Sequence, residues 1–389
     1  MIALDPHLVL ALDREGRPWR LIDGACTCRW GLNGRILSVT RATDGARRYR
    51  WLDLDEAVGL WNRTRRRLAP LFETGPDLDR DLHRIGSEEE PAGTAELGEL
   101  LARTAARDGT ALEAEAGRFA EIWTPVGILP PDQYLALLVQ LTHGCAFNTC
   151  TFCGFYRDIP YRVKTPEQLR DHLQQVDGFM GRGAGLRRSL FLGDANALAL
   201  PPATLIPLLE EVGAHYTGRP QFGTNMHSFL DAFTGAQRSE ADYRRLRSLG
   251  LVRVCIGLES GHDPLLTWLG KPGRAADAAA AVRAMKAGGL AVSLTVLLGA
   301  GGRRFAADHE RDTVALLSDL PLDGGDILYL SELVDLPEAP YVFQAEAEGI
   351  EPLTAAQIAG QRELFAAAPA PWRAGGPRRA VYDIREFSY

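Results

Sequence analysis

Three cysteines in one short stretch, Cys145, Cys150 and Cys153, are the residues of this chain whose type and spacing can do chemistry. Thiolate is a soft ligand that suits zinc or an iron-sulfur cluster and serves magnesium or calcium poorly. The spacing is Cys-x4-Cys-x2-Cys, and three thiolates without an obvious fourth hold a metal centre while leaving one position open. A structural zinc site takes four protein ligands. The nearest fourth is His143, so a Cys3His site in a zinc-stabilised, non-enzymatic binding module is the rival reading. Zinc ribbons usually present two spaced pairs of ligands, and Cys26, Cys28 and Cys255 do not lie that way near this stretch.

A reactive loop needs elements to hold it. The cysteines follow an apolar run at 134–141 and precede a helix-like segment at 165–180 that opens Thr-Pro-Glu. This places them at the C-terminal end of a strand, where barrels keep their functional groups. Further apolar runs of strand length lie at 189–193, 251–257, 290–298 and 326–330, with a weaker one at 219–225. Helix-like stretches at 202–212, 240–249 and 276–287 separate them. Six alternations over about 200 residues predict a partial (β/α)6 TIM-like barrel with a parallel sheet and right-handed crossovers, because a full eight-stranded barrel takes about 250 residues.

The wider stretch, Gly144-Cys145-x-x-Asn148-x-Cys150-Thr151-Phe152-Cys153-Gly154-x-Tyr156, resembles the cluster loop of the radical S-adenosylmethionine (radical SAM) superfamily. The usual signature there is Cys-x3-Cys-x2-Cys, and this loop is similar to a branch that carries one residue more between the first two cysteines. The resemblance implies that Cys145, Cys150 and Cys153 bind three irons of a single [4Fe-4S] cluster. SAM then binds the fourth iron and is cleaved reductively to methionine and a 5'-deoxyadenosyl radical, the cofactor carrying the hard chemistry. It also implies a low-potential electron donor such as flavodoxin or ferredoxin. Phe152 would lie beside the adenine, or else be an ordinary core aromatic.

Other positions are read against the same pattern. Gly193 and Asp194 end the second apolar run where the family places a Gly-Gly-Glu-like motif for the SAM amino group, although Asp194 is equally suited to cap the next helix. Glu259 and Ser260, in Gly257-Leu258-Glu259-Ser260-Gly261, resemble the segment that binds the SAM ribose and carboxylate. Ser293 and Leu298 bound a strand that lends backbone groups to adenine in the family, and the plain alternative for that strand is a buried parallel one. Asn225 and His227 are placed at the end of the weak third strand, Asn225 facing the cofactor and substrate. Arg157, Arg162 and Lys164 could balance a negative cluster. The Gly299-Ala300-Gly301-Gly302 run lacks the Gly-x-Gly-x-x-Gly pattern of a dinucleotide loop. Cys255 alternates with apolar neighbours and reads as core, and Cys26 and Cys28 as small residues on one face of an N-terminal strand.

The chain has 389 residues, 46% hydrophobic, and a formal net charge of -7. That is enough for a large core, and the acidic total disfavours a nucleic-acid binder, so an RNA-modifying activity is the second alternative. No apolar segment approaches about 18 residues and no signal-peptide pattern opens the chain, which predicts a cytoplasmic protein without a membrane anchor. Three regions follow: a small α+β accessory domain at 1–125, the barrel at 126–335, and a C-terminal helix with a tail at 336–389. In the first, alternating segments at 9–22 and 27–41 carry hairpin turn signals, a helix is expected at 55–68 stopped by Pro70, and another at 95–106. In the last, a helix is expected at 354–367. The expected activity is hydrogen abstraction from a small-molecule or carrier-bound substrate.

Overall fold

The computed structural model describes residues 2–5, 8–42, 47–74, 94–336, 339–367, 376–387 and 389. Residues 75–93 of the expected accessory domain and 368–375 of the expected C-terminal tail lie outside them. Two compact units are formed. One comprises Met1–Val126, Gln174–Arg187 and Arg385–Tyr389, and the other Gly127–Leu173 and Arg188–Ile384.

The first unit carries six antiparallel strands in sequence order: β1 (Ile2–Asp5), β2 (Leu8–Leu12), β3 (Pro18–Asp23), β4 (Cys26–Trp30), β5 (Ile36–Arg41) and β6 (Arg47–Leu52). The turns between β2 and β3 and between β4 and β5 fall where the turn residues predict them. Leu8, Leu10, Leu21, Trp30 and Ile36 pack on Trp61 and Leu68 of the helix Leu54–Thr74. Pro70 does not stop that helix, contrary to the sequence reading. A proline removes one backbone bond, and burial of Trp61 and Leu68 works against that loss. The helices Thr94–Ala106 and Gly109–Ile122 follow, the second capped by Asp108, whose Oδ1 accepts from Ala111 N at 2.9 Å.

The second unit is a parallel barrel sheet of seven strands. In chain order these are β7 (Ala136–Gln140), then β10 (Ser189–Gly193), β11 (Met226–Phe229), β12 (Leu251–Glu259), β13 (Ala291–Leu298), β14 (Ile327–Glu332) and β15 (Arg378–Val381). Two short strands, β8 (Thr142–His143) and β9 (Arg162–Val163), pair separately. Every residue of β7 and β10 is buried, as expected of parallel strands covered on both faces. The barrel is partial, α/β and parallel, and it has one strand more than the six apolar runs indicate. The seventh, β15, pairs with β14 in parallel but is short, half charged and largely exposed, so it carries no apolar signal.

The third strand also differs from its expected place. Residues 219–225 are not a strand: Pro220–Gly223 is a helical turn, proline standing at its first position where a missing N–H costs nothing, and β11 starts at Met226. Asn225 and His227 therefore stand at the N-terminal end of β11. Among the described residues no helix is long and apolar enough to cross a membrane.

Candidate active site

The cysteine loop is tied at its base. β8 and β9 pair antiparallel, with Thr142 opposite Val163 and His143 opposite Arg162. Gly144 has φ 68, and a Cβ there would meet Ile159 O at 2.5 Å, so the turn out of β8 requires glycine. Inside the loop Asn148 adopts φ 48, a conformation asparagine tolerates. Its side chain donates to Tyr156 O at 2.9 Å and its backbone N–H to Cys145 Sγ at 3.4 Å. Arg157 spans the other two cysteines, Nη2 donating to Cys150 O at 2.8 Å and Nε to Cys153 O at 3.1 Å.

The loop is also bonded to a turn distant in sequence. Thr151 N donates to Leu269 O at 2.8 Å and Thr149 Oγ1 to Gly270 O at 3.0 Å. The next residue of that turn is Lys271, whose Nζ donates to Glu259 Oε1 at 2.9 Å. Glu259 ends β12 with φ 60, left-handed for a residue with a side chain, across a register shift in the pairing with β13. Gly257 makes room for the pair: a Cβ there would stand 2.2 Å from Glu259 Oε1 and 2.8 Å from Lys271 Nζ.

These groups face one cavity of about 220 Å³. Residues at or just past the C-terminal end of all seven parallel strands line it, from the cysteine loop after β7 to Tyr382 after β15. All three cysteines, Phe152, Glu259 and Lys271 are on its wall. Phe152 packs as well against the cluster of Leu265, Leu269 and Leu297. Burial pushes the Cys150 thiol up, the Lys271 ammonium opposing it, and burial pushes Cys153 up to about 11. Burial would by itself disfavour the Lys271 cation, but Glu259 and Cys150 outweigh it and hold the ammonium charged.

Several residues singled out by sequence do other work. Asp194, 4% exposed, accepts from Gln140 Nε2 at 2.6 Å through Oδ1 and from Gly144 N at 3.0 Å through Oδ2, so its carboxylate braces the start of the cysteine loop. Gly193 lies at the end of β10, and its carbonyl accepts from Leu141 N at 2.8 Å. Ser260 is buried with Oγ 2.8 Å from His309 Nδ1, while it also accepts from His262 N at 3.0 Å. Leu298 gives its carbonyl to Leu333 N at 2.9 Å, and its neighbour Leu297 is the one on the cavity wall. Asn225 donates to Arg188 O at 3.0 Å, and His227 Nε2 is 3.1 Å from Asn225 Oδ1. Ser293 is buried on β13, two residues below Thr295 of the wall.

Sequence reasoning missed Lys271, a lysine in a Gly-Lys-Pro-Gly turn that reads as exposed, and Asn196 with Asp231. The last two line the cavity and bond each other, Nδ2 to Oδ2 at 2.6 Å and backbone N of Asp231 to Oδ1 at 2.9 Å. It also missed Glu332 of the wall, paired with Arg362. Only the position of Asn196, directly after a buried strand, carried a signal.

The donor set fits an iron-sulfur cluster: three soft ligands on one wall, their thiols released as thiolates when a metal centre binds. Lys164 Nζ lies 2.6 Å from His143 Nε2, so the histidine that a Cys3His zinc site requires is engaged elsewhere, and burial with Lys164 and Arg162 depresses it to about 4. Among the described residues no group of three or more His, Cys, Asp or Glu is arranged to hold a single metal ion.

Residues 139–314 match the family model of the Radical SAM superfamily. This domain belongs to the radical SAM superfamily. The match covers less than half of the chain and includes the cysteine loop, Gly193, Asp194, Glu259, Ser260, Ser293 and Leu298. Among solved structures, the radical SAM domain and its surroundings are similar to the methyltransferase TsrM from Kitasatospora setae, solved with tryptophan substrate and a SAM analogue. That match has 15% identity and TM-score 0.40, and covers 56% of this chain and 39% of that one. Coproporphyrinogen III oxidase (HemN) from Escherichia coli is 16% identical with TM-score 0.44, covering 65% and 55%. Methylornithine synthase (PylB) is 17% identical with TM-score 0.39, covering 59% and 62%. In each case the chain spans less than two thirds of the matched protein. Curated protein sequences give no match.

Proposed function

We propose that the cavity cleaves S-adenosylmethionine reductively at one [4Fe-4S] cluster held by Cys145, Cys150 and Cys153, and uses the resulting 5'-deoxyadenosyl radical to abstract hydrogen from a small-molecule or carrier-bound substrate. The observation that carries this reading is the convergence of the three cysteines, Glu259 and Lys271 on one cavity at the C-terminal ends of the strands. The cluster and SAM supply one-electron chemistry there. The chain's own residues bind, orient and keep out water. Glu259 accepts hydrogen bonds from ribose hydroxyls, and Lys271 holds its carboxylate in place. Phe152 would offer a flat apolar face to adenine, and Arg157 holds the carbonyls of Cys150 and Cys153. Asp194, Ser260, Gly193 and Leu298 support the walls through the bonds described above and Ser293 through its buried place on β13, whereas Asn225 serves the other end of the barrel.

A flavodoxin- or ferredoxin-like protein would deliver the electron, in keeping with a cytoplasmic setting where thiols stay reduced. The test is anaerobic reconstitution, followed by iron and sulfide analysis and mass spectrometry of the products formed from SAM after adding dithionite. About four irons per chain and release of 5'-deoxyadenosine are expected. Zinc in place of iron, or a loaded protein that leaves SAM intact, would overturn the reading.

A further inference from the structure

One thiol on the barrel wall lies outside the cysteine loop. Cys255 stands in the middle of β12, 3% exposed, and lines the cavity shared by Cys145, Cys150 and Cys153. Gly257 and Glu259 line the same wall at alternate positions, as the pleat of a strand requires. Opposite Cys255 in register on β13 is Ser293. The Ser293 Oγ is buried, interacts with the Cys255 thiol and makes no other hydrogen bond of ordinary geometry among the described residues, and the next residue on its face, Thr295, is on the cavity wall. A buried hydroxyl whose one neighbour is a weakly bonding thiol still has room for water or a ligand to complete it. Cys255 thus marks a second end of the cavity, below the Glu259–Lys271 pair, with Ser293 behind it. Burial, and behind it Asp132, keeps the thiol protonated at neutral pH, so the S–H bond is intact.

We propose that Cys255 is a hydrogen-atom donor to carbon radicals formed in this cavity, an inference that rests on the reading of the cavity as a site of SAM cleavage. The Sγ–H bond breaks homolytically, its hydrogen forms a C–H bond on the radical carbon, and the unpaired electron remains on Sγ. One electron from a low-potential one-electron reductant and one proton from solvent restore the thiol. The S–H bond is weaker than an aliphatic C–H bond, so transfer runs towards carbon. A serine in the same place keeps shape and polarity but has too strong an O–H bond to donate.

The experiment uses the cluster-loaded full chain in D2O with SAM, dithionite and no added thiol, in the absence of substrate. The exchanged S–D should place one deuterium in the released 5'-deoxyadenosine. Cys255→Ser and Cys255→Ala should lose that deuterium while keeping the iron content. Retention of the label in Cys255→Ser, or absence of label in the natural protein, overturns the proposal. So does loss of iron in both variants, which would make Cys255 a cluster ligand. A second readout needs no turnover: without reductant, SAM at about ten times its Kd should slow alkylation of Cys255 about tenfold, leaving Cys26 unchanged. Equal Cys255 labelling with and without SAM overturns the assignment. If no 5'-deoxyadenosine forms at all, the reading of the site itself falls, and this inference with it.

Discussion

Two regions of the molecule present cysteines close together, and their surroundings give them opposite chemistry. On β4, Cys26 and Cys28 sit two apart on one face with their sulfurs 4.0 Å from each other, and Cys26 Sγ lies 3.4 Å from Ser38 Oγ. They pack into an apolar core with Leu21 and Trp30, and burial first and then Cys26 push Cys28 up to about 12. The loop cysteines are half-buried and ring a cavity beside a held cation, Lys271, with the carbonyls of Cys150 and Cys153 held by Arg157. Raised thiols over a filled core are inert packing. Thiols around an open cavity, as Cys150 and Cys153 are, can be ligands once a metal displaces their protons. Proximity of sulfur in sequence or space does not make a site; room for the metal and a compensating charge do.

The comparison breaks most severely at the ligands themselves. Cys150→Ala should reduce iron from about four per chain to near zero after anaerobic reconstitution, whereas Cys28→Ala should leave iron unchanged. A Cys28 variant that lost the cluster would merge the two regions. Next is the ion pair that gives the cavity its charge. Glu259→Ala should weaken SAM binding by about tenfold or more, roughly 1.4 kcal/mol, with iron intact, measured by equilibrium binding to the loaded protein. It should also lower stability by about 3 kcal/mol, because Lys271 is left buried and uncompensated. The double change Glu259→Ala with Lys271→Met should recover part of that loss in denaturant unfolding, and no recovery would mean that Lys271 finds another partner.

A smaller effect is expected at Arg157. Arg157→Met removes two charge-assisted bonds to the cysteine carbonyls, about 1.5–3 kcal/mol each, and should speed iron loss to a chelator while the fold persists. Arg157→Lys should sit between, since one ammonium cannot match the guanidinium fork.

The smallest is a pH dependence in the support behind Glu259. Burial, then His262, depresses His309 to about 4, and its Nδ1 faces Ser260 Oγ. The folded value lies below the unfolded one, about 6.5. The stabilisation is therefore complete above pH 6.5 and disappears as pH falls through about 4, a change of no more than about 3 kcal/mol. His309→Gln should flatten unfolding free energy over that window relative to the natural chain. An unchanged slope would place the titration elsewhere.

Legibility followed the strength of local signals. The apolar runs of β7, β10, β12, β13 and β14 announced themselves because strands buried on both faces must be apolar throughout. The edge strand β15 and the four-residue β11 have too little buried surface to show, and β15 carries Arg378 and Arg379 in its exposed positions. The cysteine spacing narrowed the chemistry to a zinc site or an iron-sulfur cluster, and the resemblance of the surrounding loop to the radical SAM pattern favoured the cluster. Ser260 and Leu298 were read one position away from the cavity wall: a strand turns alternate residues inward, and the register shift before Glu259 decides which. Asp194 had the right residue type in the right place, but only the fold shows that its oxygens are engaged with Gln140 and Gly144.

What the amino-acid order determined by itself is therefore the kind of chemistry and the class of scaffold. Thiolate ligand preference and the periodicity of apolar residues are local properties, readable wherever they occur. Which charges meet was decided by tertiary structure alone. Lys271 stands more than a hundred residues from the cysteines it neighbours, in a turn whose sequence predicts exposure. Its burial against Glu259 exists because Thr149 and Thr151 bond that turn and because Gly257 has no side chain. Pair electrostatics depend on distance and on exclusion of water, and neither quantity exists until the chain has closed around the cavity.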